Sequence, residues 1–205
     1  MQPSYKHYLK IIKNTCTGHE GPVTIPSEEL ADLARLAEEH CTVPFVLSSF
    51  RGTPFYSSML QRTRSMMLNY YQIDQFTRHT VSLLEDNGID CILLKGISLA
   101  SCYPVPEYRK LGDLDLYISR KSDISKAQKL LESHGYIAEN ELSDHHLTYH
   151  YTFPKTGRRF LLELHYRVVG MYQYERANQI VDQVYSFENL VPVSQTINDF
   201  TYSVL

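Results

Sequence analysis

Hydrophobic and polar positions alternate along this chain with two different periods, and the change of period divides it. Over the first 87 residues the spacing is helical. A short helix is expected over 4–13, ending near Asn14 and Gly18, followed by a loop over 18–26. Ser27 is placed to cap the next helix, with Glu28 and Glu29 in a first turn where the helix dipole favours acids, and Leu30, Leu33, Ala34 and Ala37 form its buried stripe. The apolar segment 43–50 reads equally as a further helix or a buried connector. A long helical pattern runs over 57–86, unbroken or broken once, with Ile73, Phe76, Thr80, Leu83 and Leu84 on one face and Asn87-Gly88 as its stop.

Beyond residue 87 the period shortens to two. The stretch ILLKGISLASCYPVPEYRKLGDLDLYI, residues 92–118, predicts a buried strand over 91–94, a sharp Lys95-Gly96 turn, a short helix over 98–103, a Pro-broken loop and a second strand over 113–118. Side chains alternate across a strand, so Asp113, Asp115 and Tyr117 share one face and Leu114, Leu116 and Ile118 the other. An amphipathic helix follows over 122–134, with Ile124, Ala127, Leu130 and Leu131 inward and Gly135 closing it. Residues 149–153 and 159–168 read as a hairpin around a Pro154-Lys155-Thr156-Gly157 turn. A further helix is expected over 175–185, and the segment 194–205 starts like a helix. Chain ends are usually polar and frayed, so a stop on Val204-Leu205 carries the expectation of a longer protein.

Composition narrows the function classes. A length of 205 residues suits one ordinary domain, or one with a smaller helical appendage. With 43% hydrophobic residues, 21% charged and a net charge of -3, no broad basic surface is implied, so long duplex nucleic acid is excluded as the default partner. The four cysteines form no CxxC pair, which fits reduced thiols better than a disulfide framework or a zinc site. The N-terminus lacks the apolar run of a secretory signal, and no window is long enough to span a bilayer; a cytoplasmic protein is expected.

The candidate chemistry begins with the paired acids. Two carboxylates side by side on a strand raise each other's pKa unless a cation sits between them, which points Asp113 and Asp115 toward a divalent metal. The later strand, LLELHYRV, puts Leu161, Glu163, His165 and Arg167 on one face. Paired beside the first with polar faces aligned, it makes Glu163 a third carboxylate. Three such groups can hold two Mg²⁺ ions, the arrangement that clamps the attacking and leaving oxygens of a phosphoryl displacement. Lys95 and Gly96 sit at a strand-to-helix turn suited to anions, Ser98 adds a hydroxyl, and Arg109 or Lys110 a further positive charge. The bland readings are a plain turn and a solvated strand face with ordinary cross-strand pairs. The group His145-His146-x-x-x-His150, read as part of a polar loop, is taken as surface lining rather than as a zinc site.

Taken together, LLKGISLASCYP, Arg109 with GDLDLYI, the helix ending in Ser133-His134-Gly135-Tyr136, and LELHYR resemble the polymerase beta-like nucleotidyltransferase superfamily. The resemblance is to its branch of uncharacterised nucleotidyltransferases, distant relatives of aminoglycoside and toxin-type transferases, and covers about residues 89–168. The fold it implies is α+β: a small mixed β-sheet with flanking helices, preceded by a helical N-terminal region. The expected division is 1–87 helical, 88–170 catalytic and 171–205 a C-terminal helical segment. The activity implied is transfer of a nucleoside monophosphate from an NTP to an acceptor hydroxyl, on a small molecule, peptide or protein, with release of pyrophosphate and Mg²⁺ or Mn²⁺ as cofactor. Asp113 and Asp115 match the family's paired metal carboxylates and Glu163 the third. Gly96 and Ser98 fall where the family's Gly-Ser turn holds the triphosphate, although here the order is Lys95-Gly96-Ile97-Ser98, and Lys95 or Arg109 is expected to share the grip. Glu163 would act as ligand and general base, with His165 orienting it or donating to a phosphate. The alternatives are a toxin-like transferase acting on tRNA or protein, and a non-catalytic module that binds a nucleotide or a partner.

Overall fold

A computed structural model of the chain describes residues 3–18, 23–139, 143–186 and 189–205; of the loop expected over 18–26, residues 19–22 lie outside the described residues. The fold is α+β, with seven α-helices and one seven-stranded mixed sheet among the described residues. The chain divides into two units, residues 1–72 with 99–111, and residues 73–98 with 112–205.

The first unit is helical. Helices α1 (Pro3–Thr17), α2 (Leu30–Glu39) and α3 (Val43–Val46) surround a core that includes Tyr8, Ile11, Leu33, Val46, Phe50 and Met59. Segment 43–50, left open between helix and connector, is α3 followed by a 3₁₀ turn, Leu47–Phe50. Ser27 does not cap α2. Residues Ser27–Glu29 form a 3₁₀ turn of their own, with no side-chain cap, and the α-helix begins at Leu30. Helix α4 (Tyr56–Glu85) is unbroken and gives its residues through Gln72 to this unit. The Pro-broken loop also belongs here. Asn69 donates to the carbonyl of Leu111 at 2.7 Å, Tyr71 to Glu107 at 2.5 Å, and the Phe45 ring meets Tyr108 at 5.4 Å between centroids.

Helix α2 closes through Cys41, whose φ of +54° lies in the left-handed region. Cys41 N–H reaches the carbonyl of Glu38 and Thr42 N–H that of Ala37, the paired bonds of a Schellman stop. Glycine holds that conformation without a Cβ penalty, so Cys41→Gly is expected to stabilise the protein by about 1 kcal/mol, read as a rise in melting temperature.

The second unit is built on the sheet, in the order β3-β4-β5-β2-β1-β7-β6. The strands are β1 (Ile92–Leu93), β2 (Leu114–Tyr117), β3 (Ile137–Ala138), β4 (His146–Thr152), β5 (Arg159–His165), β6 (Val193–Ile197) and β7 (Phe200–Val204). Strands β2 and β5 run parallel, which requires a crossover; helix α6 (Lys121–Ser133) is part of it. Helix α6 ends on Gly135, at φ +86°, with Tyr136 N–H on the Leu131 carbonyl and Gly135 N–H on that of Glu132.

Alternation gives β2, β4 and β5 one apolar face. Leu114, Leu116, Leu162, Leu164 and Tyr149 are buried there. Phe76 of α4 stacks on this side against Phe160 at 5.0 Å and Tyr151 at 6.0 Å, and Thr80 hydrogen-bonds Tyr136 at 2.8 Å. The opposite face carries Asp115, Glu163, His165 and His146.

The helix expected over 194–205 is a hairpin instead. Strands β6 and β7 pair antiparallel from Val193↔Val204 to Ile197↔Phe200, around Asn198 at φ +46° and Asp199 at φ +65°. Two successive positive φ values are the hairpin turn whose twist matches that of the strands. Helix α7 (Glu175–Val184) forms as expected. No helix among the described residues is long and apolar enough to cross a membrane.

Candidate active site

The site grows from the register of β2 and β5. Asp115 pairs with Glu163 and Tyr117 with His165, so the polar faces of the two strands are aligned and their acids adjacent. Ligand atoms of Asp115, Glu163 and His165 all lie within 4.8 Å of one another. His165 Nε2 stands 3.2 Å from Asp115 Oδ1 and 3.3 Å from Glu163 Oε2, and its Nδ1 lies 3.3 Å from the carbonyl of Arg167. Donation from Nδ1 to that carbonyl fixes the ring and turns Nε2 toward the acids.

Asp115 is fully buried, an expensive position for a carboxylate. Its Oδ1 is met by Lys95 Nζ at 3.1 Å, from a side chain still half exposed, and by His165. Its Oδ2 is buried without a hydrogen-bond partner among the described residues. Burial raises the carboxyl of Asp115, but hydrogen bonds from His165 and Lys95 outweigh it and hold the group below its ordinary range. Glu163 moves the other way, pushed up by burial and then by Asp115 and Asp113. A pair that splits in this direction has one acid held ionised and the other favouring a proton. For Lys95 burial works downward, yet the acids Asp115, Asp113 and Glu163 together raise it.

Gly96 has φ +71°, a conformation that suits glycine, and it makes the turn that brings Lys95 back over β2. Ser98 is buried at the start of the short helix α5 (Ile97–Ala100), where its hydroxyl reaches the carbonyl of Lys95 at 3.4 Å. Asp113 precedes β2, half buried, and its charge is felt at Lys95 and Glu163 without its joining the convergent ligand set. Arg109 and Lys110 belong to the first unit. Arg167 ties the loop after β5 to α7, donating to Asp182 at 2.6 Å and to Asn178 at 3.2 Å.

The histidines that sequence spacing assigned to a polar loop lie on the same face as the acids. Strand β4 begins at His146, three residues earlier than expected, because its pairing with β5 runs from His146↔His165 to Thr152↔Arg159. His146 Nδ1 is 3.9 Å from Glu163 Oε2. Burial lowers the pKa of His146, and neighbouring His145 and His165 lower it further. Beside Glu163 opens a cavity of about 660 Å³ lined by Glu139, His146, Thr148, His150 and Leu161 among others.

These groups suit a divalent ion. A buried carboxylate oxygen without a donor among the described residues, a neighbouring acid and an imidazole nitrogen turned toward both bring two oxygens and one nitrogen within 4.8 Å of one another, a set open to Mn²⁺ as well as Mg²⁺. No curated protein and no solved structure matches the chain. A family model does, across residues 26–196, which take in the acid pair, the histidines and most of both units; the chain belongs to the uncharacterised nucleotidyltransferase family.

Proposed function

We propose that the protein transfers a nucleoside monophosphate from an NTP to an acceptor hydroxyl on a small molecule, peptide or protein, with Mg²⁺ or Mn²⁺ held by Asp115, Glu163 and His165 and supported by Asp113. The observation that carries this reading is Asp115, fully buried, with one oxygen that has no hydrogen-bond partner among the described residues, beside a second acid. A bound divalent ion would supply charge neutralisation at the triphosphate. Lys95 would move from Asp115 to the phosphates, with Gly96 and Ser98 shaping the turn beneath them. Glu163, which lines the 660 Å³ cavity, would take the proton of the acceptor hydroxyl as its oxygen attacks the α-phosphorus. The bond to the β-phosphate oxygen breaks and pyrophosphate leaves.

Glu163→Gln tests the pairing and the chemistry together. A raised folded pKa means the folded state gains stability as pH falls through that value, and loses it as pH rises above. The neutral amide mimics the protonated acid, so the metal-free variant should melt higher than the parent at neutral pH, by about 2–4 °C for each kcal/mol of repulsion relieved. The same variant should lose pyrophosphate release from NTPs with Mg²⁺ or Mn²⁺. An unchanged melting temperature together with unchanged turnover would reject the role.

One observation favours a second reading. Lys95 already sits 3.1 Å from Asp115, where a permanent ammonium can replace a metal. A nucleotide-binding module of that kind would bind NTP equally with and without divalent ions, and would release no pyrophosphate.

A further inference from the structure

Sequence spacing groups His145 and His146 with His150, but strand pairing separates them. His150 turns to Glu139, whereas His146 is the cross-strand partner of His165. The rings of His145, His146 and His165 lie 4.3, 5.1 and 5.5 Å apart between centroids, and one nitrogen of each falls within 4.8 Å of the others. His145 Nε2 and His146 Nδ1 are already 3.0 Å apart. Nitrogens on one tetrahedral ion, with bonds of about 2.0–2.1 Å, stand roughly 3.4 Å from each other, so small side-chain rotations close the set.

The surroundings hold these rings in the form a metal needs. Asp144 Oδ1 takes the Nδ1 hydrogen of His145 at 2.7 Å, and its Oδ2 accepts the backbone N–H of Met171 at 2.9 Å. That carboxylate–histidine pair leaves the Nε2 lone pair of His145 facing His146, the arrangement found behind many metal-bound histidines. His165 Nδ1 faces the carbonyl of Arg167, which leaves Nε2 as the nitrogen turned to the site, where a metal would replace its hydrogen bond to Asp115. Three nitrogens favour ions late in the Irving–Williams series over Mg²⁺.

We propose that His145, His146 and His165 bind a nitrogen-preferring divalent ion of the zinc class, in a site separate in donor chemistry from the carboxylate pair and sharing His165 with it. Because Nε2 of His165 is also the atom that meets Asp115 and Glu163, an ion held by the three imidazoles withdraws it from the acids. Glu163 Oε2, 3.9 Å from His146 Nδ1, is within reach as a fourth ligand.

Cobalt reports such a site by its visible absorption. The full chain titrated with Co²⁺, without NTP, should develop the intense bands of four-coordinate ligation at one equivalent and lose them when Zn²⁺ is added. His145→Ala with His146→Ala should weaken Zn²⁺ binding by more than about 100-fold. Asp144→Asn, which leaves all three imidazoles in place, should weaken it by about 10–100-fold and keeps the test decisive where the double variant does not fold. A weak, octahedral cobalt spectrum in the parent overturns the proposal, as does zinc affinity unchanged in Asp144→Asn and the double variant. Neither result touches the transferase reading, which is measured with NTP and Mg²⁺ or Mn²⁺.

Discussion

Replacing Asp115 by asparagine is expected to reduce metal-dependent release of pyrophosphate by at least about 10³-fold, close to 4 kcal/mol of lost transition-state stabilisation. The amide keeps the shape of the side chain and removes its charge, so the loss measures the anion. In the metal-free protein the same change should lower the melting temperature, opposite in sign to Glu163→Gln. The reason is linkage. Asp115 has a folded pKa held below its ordinary 3.8, so its stabilising contribution is fully present at neutral pH and is lost only as pH falls through the depressed value. Asparagine is the permanently uncharged form of that group and loses the contribution at every pH. Mg²⁺ or Mn²⁺ should stabilise the parent by mass action, by about 2.7 kcal/mol at one hundred times the dissociation constant, and should not stabilise the variant. Calorimetry with and without metal checks both signs. A variant that melts as high as the parent and still responds to metal would remove Asp115 from the ligand set.

The opposite signs follow from where each acid stands. Asp115 lies on the polar face, fully buried, with Lys95 at 3.1 Å and His165 at 3.2 Å from its Oδ1. Glu163 is one strand further out, at the cavity, and among the described residues its partners at salt-bridge distance are His146 and His165. Lys95 stands at 3.1 Å from the more deeply buried of the two acids.

The central unit was legible because β2 and β5 carry contrasting faces. Leu-Asp-Leu-Tyr and Leu-Glu-Leu-His alternate, and the observed register buries Leu114, Leu116, Leu162 and Leu164 while setting the acids side by side. The helix stops at Gly88 and Gly135 were equally plain. The histidine cluster was not legible, because His146 and His165 are nineteen residues apart and only the β4–β5 register brings them together. The C-terminal hairpin carries a signal of its own. Val193, Gln195 and Ile197 alternate with polar neighbours, as do Phe200, Tyr202 and Val204, around an Asn198-Asp199 turn. Without glycine in that turn the pattern resembled a helix start; the strands are held by partners on α4 that no local period encodes.

Those partners set the second large effect. Asp74, only 6% exposed on α4, accepts from Tyr202 at 3.2 Å through Oδ1, and from Arg78 at 2.9 Å and Asn198 at 3.2 Å through Oδ2. Arg78 also donates to the carbonyl of Asn198, so one carboxylate fastens both the turn and the second strand of the hairpin. Asp74→Ala removes the carboxylate that a guanidinium, an amide and a buried phenol share. Breaking a buried ion pair typically costs about 3–5 kcal/mol; Arg78 keeps 30% of its side chain in solvent, which sets the expected loss near the lower end, about 3 kcal/mol. In a chain of this size that lowers the melting temperature by about 6–12 °C. Asp74→Asn retains one acceptor oxygen and turns an N–H toward donors, so it should recover only part of the loss. The damage should be local first. Strand β7 joins β1 through the single register pair Leu93↔Val204 and the bond from Leu205 N–H to the Leu93 carbonyl, so amides of β6, β7 and β1 should lose hydrogen-exchange protection before those of β4 and β5. Because Lys95 follows β1 by two residues, the same variant should loosen its hold on Asp115 and weaken NTP binding, while the β2–β5 pairing stays protected. Uniform loss of protection across the sheet, or a melting temperature within 1–2 °C of the parent, would show that Asp74 does not anchor the hairpin.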